Sequence, residues 1–402
     1  MQENEIKKVR YNWPDVMKLL GMVCVFILHS QRCGDYIFLC RCIALALFFI
    51  PAGVFAGKSL MQPFGEFLKN NFLRIMVPYF IFSVVAAVCN VIIYGTSLPA
   101  VFLKVLYGGR EHLPGAALWF LPALFCVRLY LYIGNRIAQK LSADRKKQMI
   151  YLSGWVILVW GISSVIRHFL SQMEFHGISN LPLPWSADCA GVFLPIYFTG
   201  YLLADPLKKF SWGTCNILWK IAWWLCIGIV LVFSIKPDWW KIFYRMVSTG
   251  NDVLDCMVPE FLCAAPLLFG ILCIAKMLDK VNIFGKLGGD TLYYCGLEGV
   301  FELTLAGIGW ICSAVFAGAI LFEPSQWHFA VYVAVEMLLM ILFLTPVFKK
   351  ILPYCPTMGS LHTRFHTMKS QTFKPLGELK TELQYREKDI GKETVNTRDM
   401  AH

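Results

Sequence analysis

Long apolar runs recur along almost the whole chain, and no other feature limits its fold as strongly. Stretches of about 20 mostly apolar residues, enough for a helix to cross a hydrocarbon core, fall at 14–31, 36–57, 75–95, 116–135, 149–168, 187–204, 216–235, 257–278, 291–316 and 327–348. Inside lipid every backbone polar group must find its partner within the protein, and a helix achieves this within one segment. The pattern predicts an all-α, polytopic transmembrane bundle of about ten spans. The ninth segment differs from the others: Gly288 and Gly289 precede it, and Glu298 and Glu302 lie within it. Composition points the same way. Apolar residues make up 57% of the 402 and charged residues 16%, against about 45–50% and about 25% in soluble domains.

The distribution of lysine and arginine predicts an orientation, because cytoplasmic loops retain them. With the N-terminus inside, the inner stretches hold sixteen, from Lys7, Lys8 and Arg10 to Lys276, Lys280 and Lys286; the outer stretches hold eight, among them Arg32, Arg110, Arg167 and Arg245. About ten crossings place both termini in the cytoplasm. The net charge of +11 then follows from topology, and nucleic-acid binding is not needed to explain it. The polar, basic start lacks a small-residue cleavage site after its first apolar run, so that run is expected to remain as an anchor.

Two regions are expected: a membrane domain over 1–353, and a polar, flexible cytoplasmic tail over 354–402, rich in Lys, Glu and Thr. The fifteen cysteines are scattered, mostly in apolar runs, with no C-x-x-C pair. They read as buried apolar filler rather than as a metal or disulfide framework, and no metal site is expected.

The first segment carries the sharpest local signal. In W-P-D-V-M-K-L-L-G-M-V-C-V-F-I-L-H-S, Asp15, Lys18, Met22 and His29 recur at helical spacings and share one face. Ionisable groups within a span are costly and usually face a protein interior or a wet cavity. Lys18 and His29 are separated by roughly three turns, about 16 Å. A cation at the cytoplasmic mouth can hold phosphates, and an imidazole deeper in can act as a general base near neutral pH. The same spacing also fits a lysine that snorkels to the headgroups and a histidine seated in the outer interface. Asp15 is a candidate to stabilise a neighbouring charge, or simply to pair with Lys18 or cap the helix.

The stretch R-Y-N-W-P-D-V-M-K-L-L-G-M-V-C-V-F-I-L-H-S resembles the opening of the acyltransferase-3 family of integral-membrane O-acyltransferases, closest to its fucose 4-O-acetylase-like branch. That family carries a basic residue, ten intervening residues and then histidine, matched here by Lys18 and His29. Four further pieces follow in order: LALFFIPAGVFAGKSL (45–60), FLKNNFLRIMVPYFIF (67–82), LWFLPALF (118–125) and WSADCAGVFLPIYFTGYLL (185–203). The sequence departs from the pattern at three places. Lysine replaces the commoner arginine at 18, Asn71 stands at the first position of R-x-x-R while Arg74 remains, and Glu298 takes the place of a histidine.

The resemblance implies a membrane-bound O-acyltransferase, expected to be an O-acetyltransferase. Its co-substrate would be acetyl-CoA and its acceptor a hydroxyl of a cell-surface polysaccharide or lipid-linked glycan. It implies His29 as general base, Lys18 and Arg74 near the coenzyme phosphates, and Trp119 near the acceptor. Asp15 and Glu298 join the catalytic candidates, Glu298 as a second acid or base or as the partner of a buried cation. The expected location is a bacterial plasma (inner) membrane, with the lipid bilayer as partner and no tightly bound cofactor. Trp119 also suits an aromatic belt, and Arg74 the positive-inside bias. Asp188 and Glu260 stand near helix starts, where carboxylates complement the dipole. No phosphate loop, dinucleotide fingerprint, zinc pair or serine-hydrolase elbow is present. A transporter or flippase for a glycan or lipid, with no covalent chemistry, is the rival reading.

Overall fold

The computed structural model describes residues 11–29, 36–110, 113, 117–172, 174–175, 178–179, 182–210, 216–247, 258–298 and 326–351. The chain divides into Met1–Cys355 and Pro356–His402; the second unit, with the polar tail from 354, lies outside the described residues. The described part is all-α apart from a minimal ladder that pairs Glu174 with Ser179 and Phe175 with Ile178.

Helices stand where the apolar runs are. In order they are α1 (Trp13–His29), α2 (Tyr36–Ile43), α3 (Ala46–Val54), α4 (Gly57–Leu60), α5 (Phe64–Asn71), α6 (Val77–Tyr94), α7 (Leu98–Tyr107), α8 (Phe120–Leu141) and α9 (Arg145–Gln172). Then come α10 (Ala187–Leu202), α11 (Ala204–Lys209), α12 (Ile217–Ile235), α13 (Pro237–Val247), α14 (Val258–Met277), α15 (Asn282–Gly289), α16 (291–298), α17 (Gln326–Leu339) and α18 (Thr345–Ile351). A π turn, Phe72–Met76, joins α5 to α6, and another, Met340–Leu344, joins α17 to α18.

By length and apolar composition, two runs among the described residues could cross a membrane: Phe64–Ile92 and Arg145–Leu170. The remaining segments are shorter, interrupted or partly outside the described residues. A turn at Ala44 and Leu45 splits the predicted second span into α2 and α3, and only 291–298 of the ninth is described. Short helices α7 and α13 connect longer ones.

The core forms where helices approach closely through small residues. A Cβ on Gly53 would stand 2.0 Å from the Tyr197 carbonyl oxygen, and one on Gly200 would stand 2.2 Å from that of Ile50. Glycine at both positions lets α3 and α10 touch backbone to backbone, the packing mode available where burial in water does not drive association. Phe49 then stacks on Phe193 at 5.5 Å and meets Phe120 at 5.2 Å. α1 sits between two apolar clusters. Met22 and Phe26 pack with Phe48, Phe49 and Tyr197, while Trp13, Val16 and Met17 pack with Trp240, Leu267 and Ala275. Large apolar side chains also cover outward faces: Ile150, Ile157, Ile162 and Phe169 on α9, and Ile217, Leu218, Trp224 and Leu225 on α12, are exposed. Such a surface suits an apolar surround better than water.

Candidate functional site

The N-terminus of α1 is pinned by a distant carboxylate. Asp279 Oδ1 accepts the backbone N–H groups of Asn12 (2.6 Å) and Trp13 (2.8 Å), and Asn12 Nδ2 donates to the Asp279 carbonyl at 2.8 Å. A carboxylate here satisfies N–H groups that the helix leaves open and complements its dipole. Lys276 lies over the Trp13 ring at 4.7 Å. One turn on, Lys18 Nζ meets Asp15 Oδ1 at 2.6 Å, both side chains mostly shielded. Asp15 therefore neutralises Lys18. It stands fourteen residues before His29 on one helix, about 21 Å by helical rise.

At the far end of α1, His29 Nδ1 is hydrogen-bonded to Glu298 Oε1. Glu298 is fully shielded from solvent, whereas the His29 side chain keeps 26% of its exposure. An ionised carboxylate only accepts hydrogen bonds, so toward it Nδ1 is the donor. The second carboxylate oxygen, Oε2, accepts the backbone N–H of Ala117 at 3.3 Å. Cys295, one turn before Glu298, points its thiol at the Ala117 carbonyl at 3.4 Å. The turn 117–119 leading into α8 is thus bound to α16, and half-buried Trp119 lies in that turn.

Two contacts tie this second segment to both ends of α1. Glu298 meets His29, and the backbone of Gly288 lies so near Asp15 that a Cβ would stand 1.8 Å from the Asp15 carbonyl oxygen. Gly288, in sequence only a reason to doubt the ninth span, is the close-approach point that places Glu298. α16 packs onward through Tyr293, whose ring meets Phe82 edge-on at 5.9 Å.

Arg74 occupies the π turn Phe72–Met76, half-buried, and is within electrostatic reach of Arg128 on α8. Of the predicted pair, Lys18 lies beside Asp15, and Arg74 is within electrostatic reach of Arg128. Sequence reasoning passed over Arg128, a lone cation inside the predicted span 116–135. It also passed over Glu336, which is 2% exposed in α17. The available signal was the same for both: an ionisable side chain in an apolar run.

Asp188 lies in the first turn of α10, and its Oδ1 accepts the Leu183 N–H at 2.9 Å ahead of that helix. Just before it, Trp185 and Ser186 adopt left-handed backbone conformations (φ 56° and 52°). The Ser186 hydroxyl is anchored on the Gly108 carbonyl at 3.2 Å. Glu260 falls in the first turn of α14. Among the described residues no group of His, Cys, Asp and Glu is arranged to hold a metal ion, and eight cysteines are free thiols.

A family model described as an acyltransferase domain, that of the acyltransferase-3 family, matches residues 11–251. The match includes Lys18, His29, Arg74, Trp119 and Arg128 and stops short of Glu298. No curated protein and no solved structure is detectably similar to the chain.

Proposed function

The chain belongs to the acyltransferase-3 family, and on that premise we propose that it is a membrane-bound O-acetyltransferase that uses His29 as its general base. One observation carries the reading: a fully shielded glutamate, Glu298, engages Nδ1 of the histidine at the end of the helix face that bears Lys18. A carboxylate held on one nitrogen of an imidazole is the arrangement by which a hydroxyl is made nucleophilic.

His29 Nε2 takes the proton of an acceptor hydroxyl as the oxygen attacks the carbonyl of acetyl-CoA. The new C–O ester bond forms, the C–S bond breaks, and the proton passes from the imidazolium to the departing thiolate. Glu298 holds the ring in the productive tautomer and stabilises its transient positive charge. Lys18 and Arg74 face the phosphates of the co-substrate. Lys18 stands about 16 Å along α1 from the base, a separation suited to a long pantetheine arm. Trp119 lines the acceptor side. No tightly bound cofactor enters the step.

The setting is a plasma membrane, as in a bacterium, with about ten crossings and both termini in the cytoplasm. The charge bias of the loops and the apolar outward faces of α9 and α12 support that topology. The acceptor class is a cell-surface polysaccharide or lipid-linked glycan, as the fucose 4-O-acetylase-like resemblance implies.

The test is thioester cleavage by the purified full chain, with and without candidate glycans, followed by analysis of the glycan for a new acetyl ester. Acceptor-dependent cleavage that His29→Ala abolishes is the expected result. Wild-type turnover in His29→Ala would remove the proposed base. Transport of an unmodified glycan into proteoliposomes without acetyl-CoA would replace the enzyme with a transporter.

A further inference from the structure

Helix α13 presents three unlike faces. α12 ends at Ile235, and one residue, Lys236, separates it from α13. Pro237 has no N–H with which to continue α12, and it forces the residue before it out of helical geometry. Lys236 accordingly stands at φ −126° and ψ 73°. The chain turns there, and the Trp240 ring comes back onto Phe233 of α12, edge-on at 5.1 Å. Trp240 is buried, and α13 packs on α2, α12 and α14. That is the protein-facing side.

The rest of the helix does not follow the core. Trp239, Ile242, Phe243 and Met246 recur at helical spacing on one outward stripe, and all four are exposed, Met246 most of all at 78%. Asp238, Lys241 and Arg245 recur at spacings of three and four on another line. Asp238 and Arg245 are exposed, as is Lys236 at the corner. By helical register, Trp240, the apolar stripe and the charged line lie about a third of a turn apart. A surface helix in water needs two faces, one for the core and one for solvent. Three faces need three surroundings, and protein, hydrocarbon and water meet at a membrane interface.

Length and charge agree with that placement. Eleven residues rise about 16 Å, near half of a hydrocarbon core of about 30 Å, so α13 is too short to cross. The proposed topology puts it at the outer end of α12, and tryptophan suits the headgroup level there. Lys236, Lys241 and Arg245 outweigh Asp238, a positive balance that complements acidic headgroups.

We propose that α13 lies in the plane of the outer leaflet, with its apolar stripe against acyl chains and its basic residues against acidic phospholipid headgroups. The proposal rests on the membrane reading above and not on the acyl transfer. Because α2 packs on both α13 and α1, the helix ties the level of that leaflet to the helix that carries His29.

The test uses the purified full chain in nanodiscs of phosphatidylcholine and phosphatidylglycerol in equal parts. The photo-cross-linking amino acid p-benzoylphenylalanine replaces Met246, Arg245 or Ile157 in turn, and mass spectrometry reads the adducts. Ile157, exposed on α9, reports the membrane reading alone. Phospholipid adducts are expected at 246 and 157, and at least about threefold fewer at 245. At 246 phosphatidylglycerol should exceed phosphatidylcholine about threefold, and Lys236→Gln with Arg245→Gln should bring the ratio to about one. Lipid adducts at 157 with none at 246, or equal labelling by the two lipids at 246, would overturn the proposal. A cross-linked pair of chains through 246 would overturn it too, and would make this face a contact between copies. No lipid adduct at either 246 or 157 would remove the membrane reading together with it.

Discussion

Glu298 meets His29 across 269 positions of sequence, and the carboxylate that does so has no exposure to solvent. A buried carboxylate needs a partner or hydrogen bonds to remain charged, and Glu298 has both: the imidazole on one oxygen and the Ala117 N–H on the other. The contact fixes the ring through Nδ1.

Glu298→Gln keeps the shape and removes the charge that would stabilise an imidazolium. The turnover number with acetyl-CoA is expected to fall by about 10²–10⁴, with little change in KM for the donor. Steady-state thiol release measures both. Turnover within threefold of wild type would mean that Glu298 does not support the base.

Asp15 and Lys18 should separate in kinetics. Lys18→Ala is expected to raise KM for acetyl-CoA while turnover at saturation holds. Asp15→Asn removes an ion pair of about 0–1 kcal/mol and leaves turnover within a few-fold, because Asp15 stands a full helix length from His29. A collapse of turnover in Asp15→Asn would restore it to the reacting group.

Asp279→Ala strips the cap from α1. The cost is about 0.5–2 kcal/mol, seen as a lower apparent melting temperature in detergent, and Asp279→Asn should recover part of it. Unchanged melting in Asp279→Ala would show that α1 is anchored chiefly by Trp13 and Met17.

Gly53→Ala pushes a methyl group against the Tyr197 carbonyl and must part α3 from α10. A loss of about 1–3 kcal/mol or more, and a lower yield of folded protein, is expected. Gly161→Ala on α9, where a Cβ meets nothing within 4 Å, is the control and should fold as well as wild type.

Ile157 is 62% exposed near the middle of α9. If that face meets hydrocarbon, Ile157→Arg costs about 2.5–3.5 kcal/mol on insertion and depletes the protein from the membrane fraction, while Ile157→Leu does not. Normal membrane yield of the arginine variant would place this face against water or protein.

Much of this fold could be read locally. Helical hydrogen bonding is satisfied within one segment, so the apolar runs around α1, α6, α8, α9 and α12 mark their own helices. The break at Ala44 and Leu45 and the short helices α7 and α13 were not legible, because packing against neighbours decides where such a run stops. The site divides in the same way. Lys18 and His29 share one helix, and their common face follows from periodicity alone. Glu298 could be suspected from its depth in an apolar run, but its partner is set by Gly288 lying on Asp15, a contact between distant segments. Arg128 was overlooked because one charge barely alters the hydropathy of the window around it, although its energetic cost there is large.

The helix from Trp13 to His29 runs without proline beyond its first turn and without a break, and it is wedged between two apolar clusters. On the proposed roles it therefore works as a gauge. A donor must carry its anionic anchor and its reactive carbonyl about 16 Å apart to engage Lys18 and His29 together. Acetyl phosphate, whose two groups are adjacent, could occupy one end only. Selectivity for the carrier would then be a matter of reach, set by the number of residues between a lysine and a histidine and indifferent to which sugar waits on the other side.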